Sequence, residues 1–294
     1  MSENLAPPLL QVQNLVRSFG GVHAVDDISF EIQPGQTVSI IGPNGSGKTT
    51  AFNLISGLLR PDRGRILFEG RRIDGYSPDR IAELGIARTF QNGRVFGNMT
   101  VRENVLIGMH RHMRAARPFA GLRHRSVLHW IPLLAETALA LTMPASVRAE
   151  QAALDKEVSR QLSRFGDRLL PRQDQLAFSL SYANRRRTEI ARALAMQPRL
   201  LLLDEPTAGM NPTETAEMLD QLLALRAERQ TMLLIEHKLD LVMTLSDYVL
   251  ALDYGKLIAA GTPADVQSDE RVIEAYLGRR SGVGDQRPEV SQPW

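Results

Sequence analysis

Nine consecutive residues, Gly42-Pro43-Asn44-Gly45-Ser46-Gly47-Lys48-Thr49-Thr50, fit the pattern Gly-x4-Gly-Lys-[Ser/Thr]. They follow the apolar run Val38-Ser39-Ile40-Ile41 and lead into a helical pattern through Leu54 and Leu58–Leu59. Glycines in such a loop let backbone N–H groups curl around a polyphosphate without Cβ obstruction. The helix that follows adds unpaired N–H donors and a positive dipole end. Lys48 would reach the β- and γ-phosphates, and the Thr49 hydroxyl would bind Mg²⁺. Lysine occurs only at 48, 156, 238 and 256, so a lysine inside a motif is informative. The segment reads as a nucleotide site.

A second cluster, Leu200-Leu201-Leu202-Leu203-Asp204-Glu205-Pro206, places two carboxylates after an apolar strand, where open α/β sheets bind their ligands. Asp204 is placed to hold the hydration shell of Mg²⁺, and Glu205 to polarise an attacking water as general base. Alone, such an acidic pair is an ordinary solvated loop entry; beside the phosphate loop it reads as a hydrolytic site. None of the four lysines follows an asparagine, so the Asn-Lys-x-Asp of a guanine-specific site is missing.

These residues need a scaffold, and the hydrophobic pattern supplies one. Short, fully apolar runs at 200–203 and 231–235 alternate with helices expected at 188–196 and 212–228, the pattern of a parallel sheet buried on both faces. Residues 92–180 differ, with longer amphipathic segments, several prolines and little strand character. The expectation is an α/β core interrupted by a mostly helical insertion. A C-terminal helical segment should end near Leu277, leaving Arg279–Trp294 as a disordered tail. Within the last third, Asn211-Pro212-Thr213-Glu214 has the residues of a helix start, and Met218, Leu222 and Leu225 the spacing of its buried stripe.

Composition narrows the function classes. The 294 residues are 43% hydrophobic and 23% charged, as in soluble globular chains. Cysteine is absent, which excludes disulfides, thiolate metal sites and a cysteine nucleophile. No run reaches the ~18 apolar residues of a membrane span. Met1–Leu10 carries Glu3 and Pro7–Pro8 rather than a basic head and an apolar core, so no signal peptide is expected. A net charge of +2 does not point to nucleic acid.

Further motifs fix the class. Leu180-Ser181-Tyr182-Ala183-Asn184 with Arg185–Arg187 lies 23 residues before Asp204, Gln91 closes Arg88-Thr89-Phe90-Gln91, and His237 follows the run Met232–Ile235. In this order the chain resembles the ATP-binding-cassette (ABC) ATPases from about residue 9 to 278. The resemblance implies a P-loop NTPase (RecA-like) core with a parallel sheet, a helical insertion subdomain and a small antiparallel β part at the N-terminus. The core would span 9–91 and 188–260, the helical subdomain 92–187 and the C-terminal helical segment 262–278. ATP and Mg²⁺ are the implied cofactors, with Thr49, Asp204 and Gln91 around the metal. Phe19 would stack on adenine. Gln91 would sense the γ-phosphate and couple it to transmembrane subunits. His237 would contact the γ-phosphate and orient Glu205. Ser181, Tyr182, Ala183 and Asn184 would complete the site of a partner cassette, and Ala208–Asn211 would cross between the two sites.

Two features of the chain stand apart. The family pattern has glycine and glutamine where this chain has Ala183 and Asn184. The methyl group is expected to crowd the phosphate approach and Asn184 to fall one methylene short, giving unequal sites and a heterodimer with a second cassette. Between Glu103 and Glu136 there is no acid, but five arginines (111, 114, 117, 123, 125) and four histidines (110, 112, 124, 129). That segment reads as a solvated basic loop or as a contact with anionic headgroups or membrane subunits.

A narrower resemblance runs through Ile81–Gln91, Val95–Val105, Leu234–His237, Leu241–Met243 and Val272–Gly278. These stretches are similar to the branched-chain amino-acid import ATPases, a subfamily with relatives for urea and amides. The implied partners are two transmembrane permease subunits and an external solute-binding protein, with this chain on the cytoplasmic face of the membrane. An export cassette shares the catalytic motifs and stands as the alternative, with a soluble ABC ATPase outside transport as the lesser one, since the chain has one phosphate loop, no heptad run and no cysteine.

Overall fold

The computed structural model describes residues 7–90, 95–110 and 145–277. Two sheets organise it. Strands β1 (Leu10–Phe19), β2 (Val22–Ile32), β4 (Arg63–Phe68) and β5 (Arg71–Arg72) form an antiparallel sheet in the order β2-β1-β4-β5. Gly20 and Gly21, both at positive φ, make the two-residue turn between β1 and β2. Along β1, Leu10 and Val12 are buried two apart but Leu15 comes three later. A register shift between Val12 and Leu15, with Asn14 at φ 48°, inserts the extra residue and keeps all three on the core face.

The second sheet has the order β10-β9-β3-β8-β7-β6, from β3 (Thr37–Ile41), β6 (Ile86–Arg88), β7 (Leu200–Asp204), β8 (Thr231–Ile235), β9 (Tyr248–Asp253) and β10 (Lys256–Gly261). All pairings are parallel except β9 with β10. Every residue of β3, β7 and β8 is buried. Successive side chains go to opposite faces. Leu201 and Leu203 therefore join one apolar cluster with Val158, Ile190, Met218 and Leu222, while Leu200 and Leu202 join another with Phe52, Ile55 and Ile28. The unbroken leucine run is the sequence of a strand covered on both sides.

Ten α-helices accompany the sheets among the described residues. Helix α1 (Lys48–Ile55) follows β3, and α2 (Pro78–Glu83) precedes β6. Between β6 and α6 (Tyr182–Ala195) lie α3 (Val101–Gly108), α4 (Ala145–Ser163) and α5 (Gly166–Leu169), the helical insertion. Helices α7 (Pro212–Ala227), α8 (Leu239–Leu245), α9 (Pro263–Ser268) and α10 (Glu270–Leu277) complete the chain. Asn211 caps α7 in a reciprocal capping box with Glu214, and Met218, Leu222 and Leu225 are its buried face, as the spacing predicts.

The helix read coarsely at 188–196 starts at Tyr182, with Ser181 as its N-cap, and its Arg186 and Arg187 are buried. The C-terminal helical segment is two helices, broken at Asp269. Gln91, the basic stretch from Arg111 and the tail Arg279–Trp294 lie outside the described residues.

Candidate functional site

The phosphate loop leaves the sheet at the end of β3 and enters α1 at Lys48. Backbone crowding dictates two of its glycines. A Cβ on Gly42 would come within 2.1 Å of the Leu252 carbonyl, and one on Gly47 within 2.2 Å of the Ala24 carbonyl. Both also have positive φ. Gly45, exposed and at φ 82°, needs glycine for its conformation alone. Lys48 is buried, and its ammonium donates to the carbonyls of Gly42 (2.8 Å) and Pro43 (2.9 Å). An ammonium has three donors, so two fix it across the loop and the third is left for an anion. Burial holds the Lys48 pKa below the ordinary lysine value, an effect the Glu205 and Asp204 carboxylates at the end of β7 only partly offset. Asn44 and Thr49 are exposed on the loop, Ser46 is buried and Thr50 half-buried. Phe19 is 43% exposed on the β1–β2 hairpin that carries Ala24, with the Arg17 guanidinium 4.8 Å from its ring centre.

At the end of β7 the backbone turns sharply, with Glu205 at φ 50° and its N–H donating to the Ile235 carbonyl (2.9 Å). That turn presents the Glu205 carboxylate to His237, which follows β8: His237 Nε2 and Glu205 Oε1 are 2.8 Å apart. A carboxylate only accepts, so Nε2 carries the hydrogen. Asp204 is buried, and its Oδ2 accepts from Arg88 Nη2 (2.9 Å). Arg88 also donates to Asn53 of α1 (2.7 Å) and to Ser56 just after it (2.8 Å). Lys48, Asp204, Glu205 and His237 thus converge from three adjacent parallel strands, β3, β8 and β7, at their carboxyl ends.

Three groups that tie this site together were missed by the sequence reading. Glu236 is buried and its two oxygens serve different loops: Oε1 accepts from Thr207 N–H (3.1 Å) and hydroxyl (2.5 Å), Oε2 from His237 N–H (3.0 Å). It joins the segment after Glu205 to the segment carrying His237. Arg186 and Glu189, one turn apart on α6 and both buried, pair at 2.6 Å. Glu189 accepts from the Phe90 N–H (2.8 Å), and Arg186 donates to the carbonyls of Phe90 and Asp204. The start of α6 is thereby fastened to the residue before Gln91 and to β7. Arginine runs usually mark solvated surface, so nothing local announced this burial. Glu189→Ala should lower unfolding free energy by about 3–5 kcal/mol in urea titrations, because it leaves the Arg186 charge buried and unpaired.

Ser181 is exposed at the N-cap of α6, its hydroxyl accepting from the Asn184 N–H (3.3 Å), and no acid occupies the first turn. This is an anion-attracting helix end. Tyr182 is 43% exposed and its ring lies against Gly209, where an added Cβ would come within 3.3 Å. Ala183 differs from expectation. It is 3% exposed within the core cluster of Leu180 and Ile190, so its methyl faces the interior and does not crowd the helix mouth. Asn184 is also turned back, its Oδ1 accepting from Arg187 Nη1 (3.0 Å).

A glycine-braced phosphate loop, an acid pair at the end of a central strand and a histidine on the second acid define a P-loop ATPase. Comparison with known proteins makes the class specific. Residues 25–208 match the ABC transporter family, and residues 256–281 match a family described as branched-chain amino acid ATP-binding cassette transporter. The chain belongs to the ABC transporter family, as its ATP-hydrolysing cassette. It is 41% identical over 276 residues to the high-affinity branched-chain amino acid transport ATP-binding protein LivG of Escherichia coli K12, covering 93% of this chain and 99% of that one. It is 38% identical to BraF of Pseudomonas aeruginosa, which bears the same description, over 93% of this chain and 99% of the relative. A crystal structure of the ADP conformation of an ATP-binding cassette of an ABC transporter superimposes with a TM-score of 0.73 at 32% identity, covering 93% of this chain and all of that one.

Proposed function

We propose that this chain, with residues 9–278 as one cassette, powers an importer for branched-chain amino acids or a related amide or urea-type solute. The 2.8 Å contact between Glu205 and His237 beside the Lys48 loop carries the hydrolytic part of this reading. Glu205 takes the proton of the attacking water, and His237 holds its carboxylate and faces the γ-phosphate. Phe19 stacks on adenine, and the loop Gly42–Thr50 cradles the phosphates. The Thr49 hydroxyl, the Asp204 carboxylate and Gln91 are hard oxygen donors that fit Mg²⁺. Arg88 holds Asp204 Oδ2, leaving Oδ1 for the metal's hydration shell. When bound there, Mg²⁺ would supply positive charge to offset that of the phosphates.

The solute class rests on the match at 256–281 and on the names of the LivG and BraF relatives. Among the described residues no helix is long and apolar enough to cross a membrane. In this reading permease subunits carry the solute, with this chain on their cytoplasmic face. A groove lined by Phe90, Val95, Phe96, Ile107 and Met196, with Phe96 50% exposed, opens beside the strand that leads to Gln91 and suits a permease segment. The external solute-binding protein acts through those permeases. Purification from membranes should bring down two permeases and a solute-binding protein, and leucine-loaded binding protein should stimulate ATPase in proteoliposomes. Recovery with export permeases, or no response to any branched-chain or amide solute, would contradict the import reading.

The cassette works as a pair, with Ser181–Asn184 completing the partner's site and a second, different cassette as the partner. With the Ala183 methyl buried, Asn184 alone carries the expected inequality. Asn184→Gln in the assembled complex should raise ATPase at saturating ATP by about two- to five-fold. Ala183→Gly should give no gain and cost about 1 kcal/mol of stability. An unchanged rate in Asn184→Gln would show that the two sites are equal.

A further inference from the structure

Helix α10 touches the phosphate loop. Tyr276 Oη accepts a hydrogen bond from the Gly42 N–H (2.9 Å), across 234 positions of sequence. One turn earlier on the same helix face, Val272 is buried in the small cluster that includes Ile41, the residue immediately before Gly42. The chain leaves the sheet at Gly42, so its N–H falls beyond the β3–β9 ladder, whose last pair is Ile41 with Ala251. Tyr276 supplies the missing acceptor. On the other side of the Gly42 α-carbon, its carbonyl is one of the two that fix Lys48. Both peptide planes flanking a residue with unusual backbone freedom are therefore held, one by Lys48 and one by Tyr276. The β9–β10 turn adds a third tie, with the Gly255 N–H donating to the Ser46 carbonyl (3.1 Å).

We propose that Tyr276 is a positioning residue for ATP binding: its hydroxyl fixes the Gly42 peptide, and through it the carbonyl platform on which Lys48 meets the phosphates. The residue lies in the C-terminal stretch that matches the branched-chain family, and nothing in the P-loop chemistry itself calls for it. Partial burial pushes the Tyr276 phenol above its ordinary pKa, partly offset by the Gly42 N–H, so the group is a neutral hydroxyl throughout the physiological range. It acts by geometry and not by charge. Its effect should appear in nucleotide affinity, since the hydrolytic pair Glu205–His237 is anchored on β7 and β8 and not on Gly42.

This inference rests on reading Gly42–Thr50 as the ATP site, and the test separates the two. Tyr276→Phe keeps the ring and removes only the hydroxyl. In the full-length chain, Mg-ATP affinity measured by calorimetry should weaken about five-fold, equivalent to about 1 kcal/mol. The Gly42 amide should exchange with deuterium faster while the amides of Val38–Ile40 keep their protection. In the assembled complex, KM for ATP should rise with kcat within two-fold of the parent. Equal Mg-ATP affinity and unchanged Gly42 exchange would overturn the proposal. A parallel loss of kcat, melting temperature and β3 protection would also overturn it, showing that the hydroxyl supports the fold at large. Failure of the unmutated chain to bind Mg-ATP would instead remove the nucleotide reading of the loop, and this inference with it.

Discussion

Glu205→Gln should reduce ATP hydrolysis by about 10²–10⁴-fold while leaving ATP binding intact. Glutamine keeps the size of the side chain and can still accept from His237 Nε2, so the 2.8 Å contact that orients position 205 survives. What it cannot do is take the proton of the attacking water. The backbone at this position is already in the left-handed region, held by the Glu205 N–H bond to Ile235, and no change of turn is required of the new residue. The variant should therefore trap the ATP-bound pair of cassettes, visible as a stable dimer in gel filtration with ATP and Mg²⁺. A rate within ten-fold of the parent would assign the general base elsewhere.

Lys48→Ala acts one step earlier. The ammonium is buried, is fixed by the Gly42 and Pro43 carbonyls and is drawn electrostatically to Glu205 and Asp204. Truncating one partner of a desolvated charge pair typically costs 2–5 kcal/mol, so Mg-ATP affinity should fall by about 30-fold or more. The two carbonyls also lose their donor, so melting temperature should drop modestly, and binding is to be compared well below it. Retained micromolar affinity in calorimetry would show that the loop amides alone hold the phosphates.

The parts of this site that were legible in sequence are those whose chemistry constrains residue type over a short stretch. Gly42 and Gly47 must lack a Cβ, Lys48 must reach across the loop, and Asp204-Glu205 must follow an apolar strand; each requirement is written within a few residues. The capping box at Asn211 and the stripe Met218, Leu222, Leu225 were readable for the same reason. What escaped depends on the phase of a helix against its core or on partners far along the chain. Three arginines at 185–187 look solvated until the strands place Asp204 and Phe90 against α6. Ala183 seemed to face the helix mouth, and only the packing around Leu180 and Ile190 shows that it faces inward. Tyr276 and Gly42 are too far apart for any local pattern to pair them.

On the proposed reading a lone cassette is incomplete, and the Lys48 loop would need the Ser181 helix end of another cassette. The most direct measurement is ATPase rate per cassette across a wide concentration range, with the association state followed by light scattering in the same samples. No turnover is expected at concentrations where the chain is monomeric, and the rate per cassette should rise as pairs form. A constant rate per cassette from a demonstrated monomer would contradict that reading.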